Sequence, residues 1–218
     1  FPIPKSPFLL NLGSINEEIL HYSREHALQL CSIAEELGSD RVAFHGPYLI
    51  DPATTEIGGD ITNQKINNDW QVRENFYESL NIISTKYTHL NIYIENNVLS
   101  FKNYSSFQKN NPFLFTTFDD FERLNLEFDN KIKPLLDIAH LKVSCRSLNL
   151  NFEQQIKRFG VTDYIHVSGN DGYSDSNEVI SDSDLTYVNF SSNDLVVTLE
   201  VYGSITEIKQ SIEVIQRV

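Results

Sequence analysis

Five short apolar runs constrain this chain more than any other feature. Residues 41–45 (RVAFH), 90–95 (LNIYIE), 133–137 (KPLLD), 163–167 (DYIHV) and 195–200 (LVVTLE) read as strands. Helical patterns lie between and around them. In 24–37, Ala27, Cys31, Ala34 and Leu37 form one stripe, and Gly38 follows as a stop. Val72, Phe76, Leu80 and Ile83 form another in 71–86, a third helix spans 152–159, and Ile208, Ile212 and Ile215 line a fourth over 205–217. Ser204 with Glu207 has the spacing of a capping box, and so does Ser14 with Glu17, which predicts an earlier helix. Near-continuous apolar strands alternating with helices predict an α/β fold with a parallel sheet.

Two segments fit that rhythm less well. Residues 97–132 are predicted to hold a loop and one helix near 117–127. Residues 169–186 (GNDGYSDSNEVISDSDLT) are rich in Gly, Ser, Asn and Asp and read as a long functional loop. No linker or internal repeat divides residues 1–218, so one domain is expected.

The strand ends carry the chemistry. The five runs deliver His45, Glu95, Asp137, His166 and Glu200, with His140 three residues beyond Asp137. From Glu95 the intervals are 42, 29 and 34 residues, each suited to one βα unit. In a parallel sheet or barrel the carboxyl ends of all strands lie on one face, where such folds keep their active sites. Three carboxylates gathered there repel one another unless a positive charge sits among them. A divalent cation supplies it. Oxygen and imidazole ligands without a thiolate suit Mn²⁺, Mg²⁺, Co²⁺ or Zn²⁺. Asn96, beside Glu95, is placed to orient a ligand or a substrate hydroxyl.

Composition narrows the partners. Lys and Arg number 17 against 30 Asp and Glu, a formal charge of -13. That balance disfavours a surface built to grip a nucleic acid backbone. No run approaches a membrane span, and FPIPKSPFLL lacks the layout of a secretion signal. The two cysteines, Cys31 and Cys145, form no metal motif and fit a reducing, cytoplasmic setting.

In order and spacing these residues resemble the xylose isomerase-like TIM barrel superfamily, which includes sugar isomerases, ketose 3-epimerases and endonuclease IV. The resemblance runs through SPFLLNLGS (6–14), ELGSDRVAFHG (36–46), NIYIENN (91–97), LLDIAH (135–140), DYIHVSGNDGYSD (163–175) and VVTLEV (196–201). It implies a (β/α)8 barrel whose first two to three strands are not in the chain. A complete barrel of this kind has about 250 residues. The count of zero Met also makes residue 1 read as an interior residue of a longer protein, with about 50 more residues upstream.

The resemblance further implies one divalent ion held by Glu95, Asp137, His166 and Glu200. Glu95 and Glu200 would exchange protons with a substrate carbon, and His140 would contact the substrate. It thus implies a metal-dependent sugar or sugar-phosphate isomerase or epimerase. The alternatives are an endonuclease IV-like phosphodiesterase acting on abasic DNA, or a non-catalytic barrel relative. Two histidines that the nuclease needs are replaced, one by Lys5 and one within Asp175-Ser176-Asn177. The Arg that epimerases carry after the seventh-strand His is also missing from Gly169-Asn170-Asp171-Gly172.

His45, His140, Lys5 and Asn96 are the substrate-binding candidates. Lys5 would meet a phosphate or carboxylate, or be a solvated loop lysine. Arg146 has the same two readings. Trp70 and Tyr48 could stack on a sugar ring, although packing is the plainer expectation. The same holds for Phe101, Phe107, Phe113, Phe115 and Phe118, which could form a lid or an oligomer contact. The expected partner is a small sugar, and a homo-oligomer is left open.

Overall fold

The computed structural model describes residues 8–56, 59–129, 131–160, 162–188, 190 and 194–217. Among them the elements run α1 (Glu17–Glu36), β1 (Arg41–His45), α2 (Asp69–Lys86), β2 (Asn91–Glu95), α3 (Phe101–Ser106), α4 (Phe118–Phe128) and β3 (Ile132–Asp137). They continue with α5 (Ile138–Leu148), α6 (Phe152–Phe159), β4 (Tyr164–Val167), α7 (Asp182–Leu185), β5 (Val196–Leu199) and α8 (Ile205–Ile215).

The five strands form one parallel sheet in the order β1-β2-β3-β4-β5. Alternation along each strand separates its two faces. Val42, Phe44, Ile92, Ile94, Ile132, Leu136, Ile165 and Val167 point into one core with Ala27, Cys31, Phe76 and Leu80 from the helices. The intervening residues, His45, Glu95, Asp137 and His166 among them, take the other face. The register sets His45 beside Glu95 and Asp137 beside His166. The sheet is an α/β wall of a partial barrel, and β1 and β5 do not pair with each other among the described residues.

Several expectations change. The Ser14–Glu17 box does not form, and among the described residues no separate helix precedes α1. α1 begins after Asn16, whose side chain accepts from the backbone N–H groups of Glu18 and Ile19. Ser14 instead donates to Asp51 Oδ2 at 2.8 Å. Leu37 is the C-cap and stands exposed. The segment 97–132 holds two helices, because Ser100 caps α3 ahead of α4. The loop 169–186 contains α7, closed by a Ser181–Asp184 capping box. In α8 the Ser204–Glu207 box forms as expected, but Ser211 and Val214 are the buried positions and Ile212 turns outward.

Candidate metal centre

β2 ends in Glu95 and β3 in Asp137, β4 carries His166 one residue before its end, and Glu200 follows β5 directly. One ligand atom from each of Glu95, Asp137, His166 and Glu200 lies within 4.8 Å of every other. His166 Nδ1 is 2.9 Å from Glu200 Oε1 and 3.2 Å from Glu95 Oε1. Glu95 and Asp137 are buried, whereas the Glu200 side chain remains 30% exposed.

Asp137 has two tasks. Its Oδ1 accepts the backbone N–H of His140 at 2.7 Å and so caps α5. Its Oδ2 is buried and has no hydrogen-bond partner. A buried carboxylate oxygen without a partner is costly. An oxygen in that condition, on a residue grouped with two further carboxylates and an imidazole, fits the donor set of a divalent cation.

Asn96 stitches the ends of β2 and β3 together. Its Nδ2 donates to the Asp137 carbonyl at 3.0 Å, and its Oδ1 accepts the Asp137 N–H at 2.7 Å. Asn97 performs the same service on the other side, donating to the carbonyls of Gly46 and Leu114. Asn96 therefore holds the backbone of Asp137, a candidate ligand.

The charges in the cluster explain one another. Burial alone would raise the Glu95 carboxyl, but His45, His166 and His140 outweigh it and bring it down to about 2. Burial also opposes a charge on His166, yet Glu200 and Glu95 push it up to about 10. Burial pushes Asp137 up to about 7, with His140 opposing. His140 is raised well above its ordinary value, because Asp137, Asp175 and Glu95 overcome the cost of burial.

Of the remaining candidates, His45 and His140 flank Glu95, with ring centroids 6.0 Å apart. His45 is half exposed at the rim, with Nε2 3.8 Å from Glu95 Oε2. His140 is buried, its Nδ1 2.8 Å from the Asn96 carbonyl and its Nε2 3.2 Å from Asp175 Oδ2. Both nitrogens thus already face protein acceptors. Lys5 lies outside the described residues. Tyr48 packs against Phe113 as the plainer expectation has it, with ring centroids 5.4 Å apart. Trp70 is not packed: it stands 70% exposed on the first turn of α2. Arg146 lies on α5 with its guanidinium 3.4 Å above the Tyr173 ring. The role of Asp175 as the partner of His140 is not visible in the sequence, where it is one acid in an acid-rich loop.

No protein-family model matches the chain, and no curated protein sequence matches it. Solved structures do. A D-tagatose 3-epimerase-like protein superposes with a TM-score of 0.65 at 18% identity, over 97% of this chain and 74% of that one. D-Psicose 3-epimerase from Clostridium cellulolyticum, solved with D-tagatose, gives 0.58 at 15% identity over 95% and 73%. Endonuclease IV from Thermus thermophilus gives 0.59 at 16% identity over 96% and 72%. The chain is thus similar in fold to solved structures that include a D-tagatose 3-epimerase-like protein and endonuclease IV.

Proposed function

We propose that the chain is a divalent-metal-dependent isomerase or epimerase of a sugar or sugar phosphate. The observation that carries this reading is the four-residue cluster with its partnerless Asp137 oxygen. Glu95, Asp137, His166 and Glu200 would hold the ion. The ion's chemistry is Lewis acidity towards a carbonyl and the hydroxyl beside it. The epimerase neighbours support the substrate class.

The residues themselves divide the work by exposure. Glu200, the more open carboxylate, reaches the substrate and takes the proton from the carbon next to the carbonyl. Glu95, deeper and held ionised by its imidazoles, is the second acid/base group. Return of the proton to the opposite face of the same carbon gives an epimer, and return to the neighbouring carbon gives an isomer. His45, open at the rim, binds the substrate, and Asn96 keeps Asp137 in place. The two buried free thiols fit a reducing, cytoplasmic setting.

The test is Glu200→Gln with a ketose panel in deuterated water. Deuterium incorporation at the carbon beside the carbonyl should fall by about 10²–10⁴-fold while the circular dichroism spectrum is unchanged. Unchanged turnover overturns the mechanism. Elemental analysis decides between classes: one ion per chain supports the isomerase, three support an endonuclease IV-like phosphodiesterase, and none supports a non-catalytic relative.

A further inference from the structure

A cleft that shares no lining residue with the candidate metal centre opens between the loop that follows β1 and the turn that follows α3. Its volume is about 460 Å³, within the range of small-molecule sites. Leu49 and Phe107 contribute apolar surface, and the rest of the wall is dominated by carboxamides. Asn63, Gln64, Asn67 and Gln108 all line it, and none of these side chains has a hydrogen-bond partner among the described residues. Each offers a carbonyl acceptor and two N–H donors.

The cleft carries almost no net charge. Its one ionised lining residue, Asp69, is already paired with Arg73. Arg73 is in turn held by Asp120 at 2.7 Å. A phosphate would find no free cation among the lining residues, and an ammonium group no free carboxylate. Unpaired donors and acceptors in a neutral cleft select a neutral ligand that is rich in both, which is the chemistry of a polyhydroxylated ring.

One further feature points the same way. Gln108 and Lys109 are consecutive non-glycine residues in the left-handed region, at φ 56° and 63°. Such backbone costs on the order of 1 kcal/mol or more per residue and clusters at ligand sites. Trp70, next in the chain to Asp69, is 70% exposed, and its ring meets no other ring among the described residues. Trp70 does not itself line the cleft, but it stands one residue from Asp69, which does, and so can report on occupancy.

We propose that this cleft is a second ligand site, for a neutral saccharide. It is distinct from the metal centre and does not depend on the reaction assigned there. The ligand is either a free sugar or a glycosyl unit of a larger substrate.

Trp70 is the single tryptophan of the chain, so its emission reports on this region alone. The probes are the methyl glycosides of glucose, galactose and mannose, which are locked as rings and have no carbonyl for the metal centre to act on. Each is titrated to about 100 mM, where a site of millimolar affinity is saturated. The titration is run with and without EDTA.

At least one glycoside should change Trp70 emission saturably and equally in both conditions. The Asn63→Ala/Gln64→Ala variant should weaken that binding about tenfold or more. Glu200→Gln should leave it unchanged, so failure of the metal-centre reading does not affect this result. Maltotriose binding at least about tenfold tighter than the methyl glycosides assigns the site to a longer substrate, and equal binding assigns it to a free sugar. Absence of a saturable change with all three glycosides overturns the proposal. So does a response that EDTA abolishes, or one that Asn63→Ala/Gln64→Ala leaves intact.

Discussion

Loading of the centre with a divalent ion should release protons, and its affinity should climb steeply with pH. Without an ion, His166 is protonated up to about pH 10, because Glu200 and Glu95 flank its Nδ1. It must lose that proton to act as a ligand. Asp137, at about 7, is half protonated near neutrality. Between pH 6 and 8 the His166 contribution alone raises apparent affinity about 100-fold, one decade per pH unit. Ionisation of Asp137 over the same window adds about tenfold, for about 1,000-fold in all. Glu95, already ionised from about pH 2 upward, contributes nothing in this range. Calorimetric titration with Mn²⁺ or Zn²⁺ in two buffers of different ionisation enthalpy measures the proton count directly. About 1.5 protons per ion are expected at pH 7. A linked readout is thermal stability. An ion at about 100 times its Kd stabilises the fold by about 2.7 kcal/mol. For a chain of this size that raises Tm by about 5–11 °C. A pH-independent affinity, or binding without proton release, would refute the view that His166 and Asp137 are ligands.

The ion-free protein has its own pH profile. The raised His166 contributes stability that is fully present below its unfolded value near 6.5 and is lost as pH climbs through about 10. The depressed Glu95 contributes above about 4.5, and that contribution is lost as pH falls through about 2. Asp137, raised to about 7, works the opposite way: its contribution is present below about 3.8 and is lost as pH climbs through about 7, so it offsets Glu95 in acid. Urea midpoints in EDTA should therefore fall on the alkaline side as pH climbs through about 10, and a flat alkaline limb would count against the cluster geometry. Asn96→Ala leaves the buried N–H and C=O of Asp137 without partners and should cost about 2–4 kcal/mol by urea denaturation. A Cβ at Gly46 would sit 2.5 Å from Phe115 Cβ, so Gly46→Ala should lower stability by about 1–3 kcal/mol, and a neutral result would mean that the Phe115 turn yields freely. Burial pushes the thiols of Cys31 and Cys145 up to about 11 and about 12, so a thiol reagent at pH 8 should label neither until urea is added.

The strand ends were legible because a parallel strand buried on its helical face has few ways to be written. RVAFH, NIYIE and YIHV are short and β-rich, and each element falls within a residue of its reading. The helices were legible where one stripe repeats, as in Val72, Phe76, Leu80 and Ile83. The reading failed where local signals compete. Ser14, with Glu17 three residues on, looks like a cap, but Asn16 reaches two backbone N–H groups and wins. In 97–132 the aromatic residues masked α3, because they pack in two separate clusters rather than along one face.

By itself the sequence determined which chemical groups stand at the carboxyl ends of the strands, since parity along a strand and the length of a βα unit leave little freedom. Only the tertiary structure decided what those groups do to one another. It buried one oxygen of Asp137 without a partner, wedged His166 between Glu95 and Glu200, and tied His140 to Asp175. It also gathered four free carboxamides from two distant loops around one neutral cleft. These are distances between residues tens of positions apart, and no local pattern encodes them, because desolvation and Coulomb energy depend on where the folded chain returns to itself.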